Sequence, residues 1–242
     1  MKKLILTAAA LILSAGFAAA QSTTVRMGTE GAYPPYNFID DNGQVAGFER
    51  ELGDKLCEME DLTCTWVTND WDSIIPNLLS GNYDTIMAGM SITDERKKSI
   101  DFTQAYYPPA PSAYLAMTPD ADIKGGVIAA QTGTIQAAHI SETGATLAEY
   151  ATLDDTIAAV KNGEADAVFA DKDALKPFVG TDGFQFVGQD IPLGEGIGIG
   201  LRKSDTELKA KLNDGISKMK ADGSLNKMIK KYFGDDALTF SN

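Results

Sequence analysis

The sequence is poor in side chains that hold metals and in positive charge. Its 242 residues include one histidine and two cysteines. A zinc or iron–sulfur site needs more soft ligands than these, so we expect no such site and no cofactor. The 21 lysines and arginines stand against 34 acids, which gives a net charge of −13. This charge leaves no basic surface for nucleic acid, which we therefore exclude as a partner.

Long apolar runs are also missing beyond residues 1–20. Lys2 and Lys3 give this segment a positive start, and an apolar stretch then ends in three alanines before Gln21. The pattern predicts a secretory signal peptide over residues 1–20. A membrane anchor is the alternative, but the run is short for a span and its small-residue end fits cleavage better. We therefore expect an exported, acidic, soluble protein.

Export makes the two cysteines informative. Cys57 and Cys64 lie close together in the sequence, and outside the cytosol such a pair is usually oxidised to a disulfide. The pair lacks C-x-x-C spacing and a nearby histidine, so a catalytic role is not indicated.

Strand-like and helix-like segments alternate after the leader. Val25–Thr29 and Leu62–Val67 read as strands, and Phe48, Leu52 and Leu56 recur every four residues in a helix from about Gly47 to Met59. A buried strand is expected at Tyr83–Ala88. The alternation predicts parallel α/β architecture.

A short pattern occurs twice and suggests two similar α/β lobes. Gly81–Ala88 and Gly163–Ala170 both read Gly-x-x-Asp followed by an apolar strand that ends in alanine. The proline-rich stretch Tyr106–Pro111 and the glycine-rich strand Gly194–Leu201 suit two crossings between lobes. If the two C-terminal helices return to the first lobe, the crossings form a hinge beside a cleft.

The domain prediction follows from these crossings. Lobe 1 comprises residues 21–109 and 199–242, and lobe 2 comprises residues 110–198.

Ligands of open α/β sheets bind beyond the carboxyl ends of the strands, and this rule selects a set of positions. The set is Glu30, Tyr33, Trp71, Gly89, Ser91, Arg96, Gln131, Thr134 and Asp171. Arg96, which we place in the first turn of a helix capped by Thr93, offers a planar fork for a carboxylate. Asp171 suits an ammonium, and Glu30 is a second anion. With Tyr33 and Trp71 as flat walls, the set complements a zwitterion that carries an extra positive group.

Each of these residues also has a plain structural interpretation. Arg96 lies in the charged run Glu95–Lys98, which would ordinarily be solvated, and Tyr33 and Trp71 could be packing residues. Asp171 could be a helix cap. The joint placement at strand ends, rather than any single residue, favours a binding site.

The chain resembles the periplasmic solute-binding proteins for polar amino acids, the family of the histidine- and lysine/arginine/ornithine-binding proteins. The motifs that carry the resemblance are Gly28–Tyr36, Gly47–Glu49, Trp71–Leu78, Tyr83–Ala88, Ser91–Arg96, Gln131–Thr134, Gly163–Ala167 and Gly200–Lys203. The resemblance implies a type II periplasmic-binding-protein fold, in which two α/β lobes joined by a two-segment hinge close on one amino acid. It further implies a periplasmic monomer that serves an ABC transporter permease in the inner membrane. In the histidine-type members the paired cysteines form a disulfide.

The resemblance also implies individual roles. Arg96 would clamp the ligand's α-carboxylate, helped by Gly89 and the region of Thr134, and Asp171 with Ser91 would take the α-ammonium. Tyr33 and Trp71 would sandwich the ligand's side chain, and Glu30 would face the distal end of that side chain. The acid indicates a cationic ligand such as lysine, arginine, ornithine or histidine.

The sequence departs from the family at a few positions, which keeps alternatives open. Ala88 and Gly89 stand where many relatives carry Ser or Thr, and Ile135 stands where a Thr often contacts the carboxylate. A roomier pocket near Gly89 could admit an opine, and a neutral polar amino acid is a further alternative. Two other functions are also alternatives. One is an enzyme that resembles the cyclohexadienyl dehydratases of the same fold, and the other is a detached sensory domain.

Overall fold

The computed structural model describes residues 23–241. The predicted signal peptide at residues 1–20 lies outside them. In the described range, no helix has both the length and the apolar character needed to cross a membrane.

Strands and helices alternate along this range. The strands are β1 (Thr23–Thr29), β2 (Ala32–Tyr33), β3 (Asn37–Ile39), β4 (Val45–Ala46), β5 (Leu62–Thr68), β6 (Thr85–Ile86), β7 (Asp101–Phe102), β8 (Pro111–Ala116), β9 (Val127–Gln131), β10 (Thr146–Tyr150), β11 (Ala167–Asp171), β12 (Gln185–Pro192) and β13 (Gly200–Leu201). The α-helices are α1 (Phe48–Met59), α2 (Ile74–Leu79), α3 (Asp94–Lys97), α4 (Ile135–Ser141), α5 (Leu153–Lys161), α6 (Lys172–Leu175), α7 (Thr206–Ala221) and α8 (Ser224–Phe233).

The strands form two five-stranded sheets and one small sheet. The first sheet has the order β5-β1-β6-β13-β7, the second has the order β10-β9-β11-β8-β12, and β2, β3 and β4 form the small one. With helices on their faces, the two larger sheets give the two-lobed α/β fold that the sequence predicts.

The prediction of parallel sheets is correct for only part of each sheet. In the first sheet β1 runs parallel to β5 and β6, whereas β13 is antiparallel to β6 and β7. In the second sheet β9, β10 and β11 are parallel, whereas β8 is antiparallel to β11 and β12. The antiparallel strands β8 and β13 enter their sheets from the crossing segments rather than through a crossover helix. They are therefore free of the constraint that makes helix-linked strands parallel.

Two crossing segments connect the sheets and lie side by side. Ile197 donates its N–H to the carbonyl oxygen of Tyr107 at 3.0 Å, and the N–H of Tyr106 donates to the carbonyl oxygen of Ile197 at 2.8 Å. The predicted strand Gly194–Leu201 is shorter than expected. Only β13 pairs as a regular strand, and Ile197 forms isolated bridges. The exact residues that divide the lobes stay a prediction.

Helix α1 shows how sequence periodicity builds the first lobe. Phe48, Leu52 and Leu56 are fully buried, in one cluster with Ile216 of α7 and Phe233 of α8. Burying each such side chain stabilises the fold by about 1.5–3 kcal/mol. The C-terminal helices therefore return to the first lobe, and the predicted helix at Gly47–Met59 is confirmed with a one-residue difference at its start.

Two further predictions concern segments of the first lobe. Cys57 of α1 and Cys64 of β5 form a disulfide bond, as expected. The predicted strand at Tyr83–Ala88 is shorter, because only Thr85–Ile86 pairs regularly. Asp84 instead binds the side chains of Arg26 and Arg202 at 2.8 and 3.1 Å.

Candidate functional site

A pocket lies between the two lobes, where strands of both sheets end. It encloses about 290 Å³ of empty space, which includes the part that opens to solvent. The structure brings all the predicted site residues to this pocket, namely Glu30, Tyr33, Trp71, Gly89, Ser91, Arg96, Gln131, Thr134 and Asp171. Ala88, Ile135 and Gln136 complete the lining.

Tyr33 forms a wall of the pocket from the first lobe. It is buried, and its hydroxyl donates a hydrogen bond of 2.8 Å to Oδ2 of Asp171 across the cleft. Gly89 lies against its ring with φ of +62°, and a Cβ there would lie 3.2 Å from the ring carbon Cδ1. A larger residue at Gly89 would therefore be strained by its backbone and would press on the ring.

Asp171 ends β11 and directs its carboxylate into the pocket. The residue holds the N-cap position of α6, yet its side chain makes no capping hydrogen bond. The carboxylate instead accepts hydrogen bonds from Tyr33 and from Nε2 of Gln136, each 2.8 Å long. The helix-cap interpretation of Asp171 is therefore wrong.

Opposing influences act on the pKa of Asp171. Burial raises the pKa of its carboxyl to about 6, and the hydrogen bond from Tyr33 and the charge of Arg96 act in the other direction. The carboxylate is thus present at neutral pH in a site that would gain from a positive partner.

Arg96 supplies the positive side of the pocket. Thr93 caps α3 as predicted, since its Oγ1 accepts a hydrogen bond of 3.2 Å from the Arg96 N–H. The guanidinium lies 5.2 Å from the centroid of the Trp71 ring, and Nη1 donates to the carbonyl oxygen of Ser91 at 2.9 Å. Nη2 approaches the carbonyl oxygen of Gly133 in the second lobe at 3.4 Å.

The guanidinium of Arg96 is set apart from its charged neighbours. Burial lowers its pKa to about 10, which still leaves it protonated at neutral pH. Lys97 and Lys98 instead bind the exposed carboxylates of Glu195 and Glu95. The interpretation of Arg96 as one member of a solvated run is therefore wrong, because the helix turn directs this side chain into the cleft.

The opposite end of the pocket is acidic. Oε1 of Glu30 accepts a hydrogen bond of 2.5 Å from Nε2 of Gln131, which also donates to the carbonyl oxygen of Ala151 at 2.9 Å. The pKa of Glu30 is raised to about 7, mainly by burial and also by the charges of Glu49 and other carboxylates, while the hydrogen bond from Gln131 acts in the opposite direction. Without a ligand, Glu30 is therefore only partly ionised at neutral pH, and a cation bound at this end would favour its ionised form.

Thr134 and Gln136 bring the start of α4 to the pocket. Oγ1 of Thr134 accepts from the N–H of Ala137 at 3.1 Å and donates to the carbonyl oxygen of Gln131 at 2.7 Å. Gln136 holds both Asp171 and Oγ of Ser112, but sequence reasoning missed it. Its signal was a polar side chain among apolar neighbours in a first helical turn, which indicates a buried polar contact.

The arrangement has the elements of a receptor for a small zwitterion. A guanidinium, an aromatic wall from each of two chain segments, and two separated carboxylates converge between lobes. Such a set binds charge at fixed points, which is the basis of specificity in small polar sites.

Comparison with known proteins gives a consistent picture. The bacterial extracellular solute-binding proteins, family 3, match residues 25–235. An L-arginine-binding protein of Pseudomonas aeruginosa is 37% identical over 98% of this chain and 98% of its own length. The lysine/arginine/ornithine-binding periplasmic protein of Escherichia coli is 35% identical over 96% of this chain and 97% of its length.

A solved structure is more similar still. It is a periplasmic His/Glu/Gln/Arg/opine family-binding protein from Silicibacter pomeroyi in complex with lysine. It is 65% identical, with a TM-score of 0.88 over 89% of this chain and all of that one.

Proposed function

The chain belongs to the bacterial extracellular solute-binding proteins, family 3, and from this premise we propose that it binds a free cationic L-amino acid. The proposed ligands are lysine, arginine, ornithine and histidine. The relatives named above bind arginine, or lysine, arginine and ornithine, and the related solved structure holds lysine. In this proposal the protein works in the periplasm after cleavage of a signal peptide at residues 1–20, and it acts as a monomer.

The proposed binding mode assigns one ligand group to each charged residue. Arg96 clamps the α-carboxylate through two parallel N–H donors, with the backbone at Gly89 and Thr134 nearby. Asp171 takes the α-ammonium together with Ser91. The remaining contacts belong to the ligand side chain, which lies between Tyr33 and Trp71.

The distal cation then faces Glu30. A buried ammonium or guanidinium without an anion would be costly, so an acid at this end selects for positive side chains. Gln131, which holds Glu30, adds a polar group from the second lobe.

The proposed transport mechanism uses the hinge. The ligand enters an open cleft, the lobes close because the ligand contacts both of them, and the closed form docks on an ABC permease in the inner membrane. The hydrogen bonds Tyr33–Asp171 and Gln131–Glu30 already cross the cleft, which supports closure between these two walls.

The observation that carries the proposal is the convergence of Arg96, Asp171 and Glu30 on one pocket between lobes. Isothermal titration calorimetry with the twenty amino acids, ornithine, citrulline and opines tests it. We expect tight one-to-one binding of arginine, lysine or ornithine and weaker binding of neutral amino acids. Binding of acidic or apolar amino acids in preference to these would contradict the proposal.

Glu30→Gln should weaken the binding of cationic amino acids selectively. The variant keeps a hydrogen-bonding side chain but removes the anion, so we expect arginine and lysine to lose affinity by on the order of 10²-fold. Glutamine and citrulline should change by less than about threefold. Calorimetry on both ligand classes measures the difference, and unchanged arginine affinity would show that the distal end does not select charge.

Binding should also depend on pH in a ligand-specific way. The pKa of Glu30 is raised to about 7 and that of Asp171 to about 6, so protonation of either removes a negative partner as the pH falls. Affinity for arginine should therefore rise with pH through both values, by up to about tenfold per pH unit between them and up to about a hundredfold per unit below both, where two protons must be released.

Citrulline provides the control for this pH dependence, because it needs only the Asp171 charge. Its affinity should level off at a lower pH than that of arginine, and in Glu30→Gln the two profiles should coincide. Titrations between pH 5 and pH 8 measure both profiles; parallel profiles in the unaltered protein would contradict the assigned roles.

The proposal includes that the ligand is released unchanged. An enzyme of this fold would need an acid or base held over a reacting atom, whereas Glu30 and Asp171 each have a natural partner in a bound amino acid. Chromatography of the ligand after prolonged incubation tests this point. A converted ligand would favour the dehydratase alternative, and preference for an opine in the calorimetric screen would favour the larger ligand class.

A further inference from the structure

Glu49, outside the pocket, is a buried carboxylate whose hydrogen-bond donors are all neutral. It is the second residue of α1 and is fully buried. Oε2 accepts from Nδ2 of Asn37 at 2.7 Å, and Oε1 accepts from the N–H of Gly89 at 2.7 Å and from the hydroxyl of Tyr106. Burying a carboxylate without a cationic partner costs free energy of folding, so we expect a function that explains why Glu49 is there.

The three donors orient the carboxylate of Glu49 but carry no positive charge that would cancel its negative one. Donors occupy both oxygens, an arrangement that favours the ionised carboxylate, while burial acts in the opposite direction and raises the pKa of Glu49. The cationic side chains Lys231 and Arg50 near this helix are engaged elsewhere, with Glu51 and Asp54. The negative potential of Glu49 is therefore left to act on its surroundings.

Those surroundings are the lobe-1 wall of the pocket. Asn37 connects Glu49 to the loop that carries Glu30, since its Oδ1 accepts a hydrogen bond from the N–H of Gly31, the residue after Glu30. Gly89 lines the pocket itself. Tyr106 belongs to the crossing segment, so one carboxylate joins the Glu30 loop, the Gly89 loop and the hinge.

We propose that Glu49 is a specificity-determining residue, whose buried charge favours a cationic ligand without touching it. The inference rests on the proposed function, because it concerns the choice between charged and neutral ligands in the same pocket. The charge of Glu49 already opposes ionisation of Glu30. The same field attracts a positive side chain, and it acts over a distance because little solvent intervenes.

The test compares arginine with citrulline, a neutral ligand of nearly the same shape. In Glu49→Gln, which keeps the size of the side chain, we expect the arginine-to-citrulline affinity ratio to fall by about tenfold. Citrulline itself should bind within about threefold of its affinity for the unaltered protein. A purely structural role would weaken both ligands alike and leave the ratio unchanged, which would overturn the inference.

Tyr106→Phe, titrated at pH 8 so that the carboxylate stays ionised without its hydroxyl donor, is the matched control, because it removes a hydrogen bond to the same oxygen and keeps the charge. Both ligands should change by the same factor in this variant, so its ratio should equal that of the unaltered protein. If Glu49→Gln fails to fold in a melting experiment, Glu49→Met, which also lacks the charge and has a similar length, replaces it with the same expected fall in the ratio. A ratio altered by Tyr106→Phe would show that hinge geometry, not charge, sets the preference, and would overturn the inference.

Glu30→Gln separates failure of this inference from failure of the proposed function. If that variant lowers the ratio while Glu49→Gln does not, only the role of Glu49 is lost. If the unaltered protein binds citrulline as tightly as arginine, the cationic-ligand proposal is lost and the role of Glu49 with it.

Discussion

Asp171→Ala is expected to abolish the binding of every free amino acid, with an affinity loss of about 10³-fold or more. The carboxylate is buried and is held by Tyr33 and Gln136, so it is ready to receive an α-ammonium without rearrangement. Without it, the ammonium would be buried with no anion beside it. Because every amino acid carries this group, calorimetry with arginine, lysine and glutamine should show the same loss.

Asp190→Ala is the matched control for this prediction. Asp190 is another lobe-2 aspartate, and it forms an exposed ion pair with Lys172 at 2.7 Å outside the pocket. Its removal should leave all affinities within about twofold, as is usual for exposed pairs. If Asp171→Ala lost affinity for only one class of amino acid, the assignment of Asp171 to the α-ammonium would be wrong.

Arg96→Lys is the second prediction with a large expected effect. The substitution keeps the positive charge but replaces a planar fork by a point charge, which cannot make two parallel hydrogen bonds to a carboxylate. It also loses the flat contact with Trp71 and the donor to the Ser91 carbonyl oxygen. We expect all amino acids to bind about 50- to 100-fold more weakly, as measured by calorimetry.

Arg50→Lys provides the corresponding control. Arg50 also lies over a tryptophan ring, at 5.8 Å from the centroid of Trp66, and pairs with Asp54 on the surface of α1. The exchange there should leave ligand binding unaltered. Equal affinities for the unaltered protein and Arg96→Lys would mean that the guanidinium does not grip the carboxylate.

The strand-end rule explains why the pocket could be predicted from sequence. Glu30 follows β1, Gln131 ends β9, and Asp171 ends β11, so topology alone brings these side chains to one edge of their sheets. Thr93 capped α3 as its sequence context indicated, and the cap sets the direction of Arg96. These features depend on local signals of a few residues each.

Other features depend on contacts between distant residues and left no local signal. The antiparallel course of β8 and β13 follows from the path of the crossing segments, which periodicity does not encode. The bond between Tyr33 and Asp171 spans 138 positions, and that between Tyr106 and Glu49 spans 57. Such pairs are set by how the lobes meet, so they could be seen only in the folded structure.

A crystal structure of the protein grown with arginine tests the central claim most directly. The account predicts arginine between the lobes, its carboxylate on Arg96, its α-ammonium on Asp171, and its guanidinium facing Glu30 between Tyr33 and Trp71. Arginine bound in the reverse direction, or on a surface away from these side chains, would contradict the account.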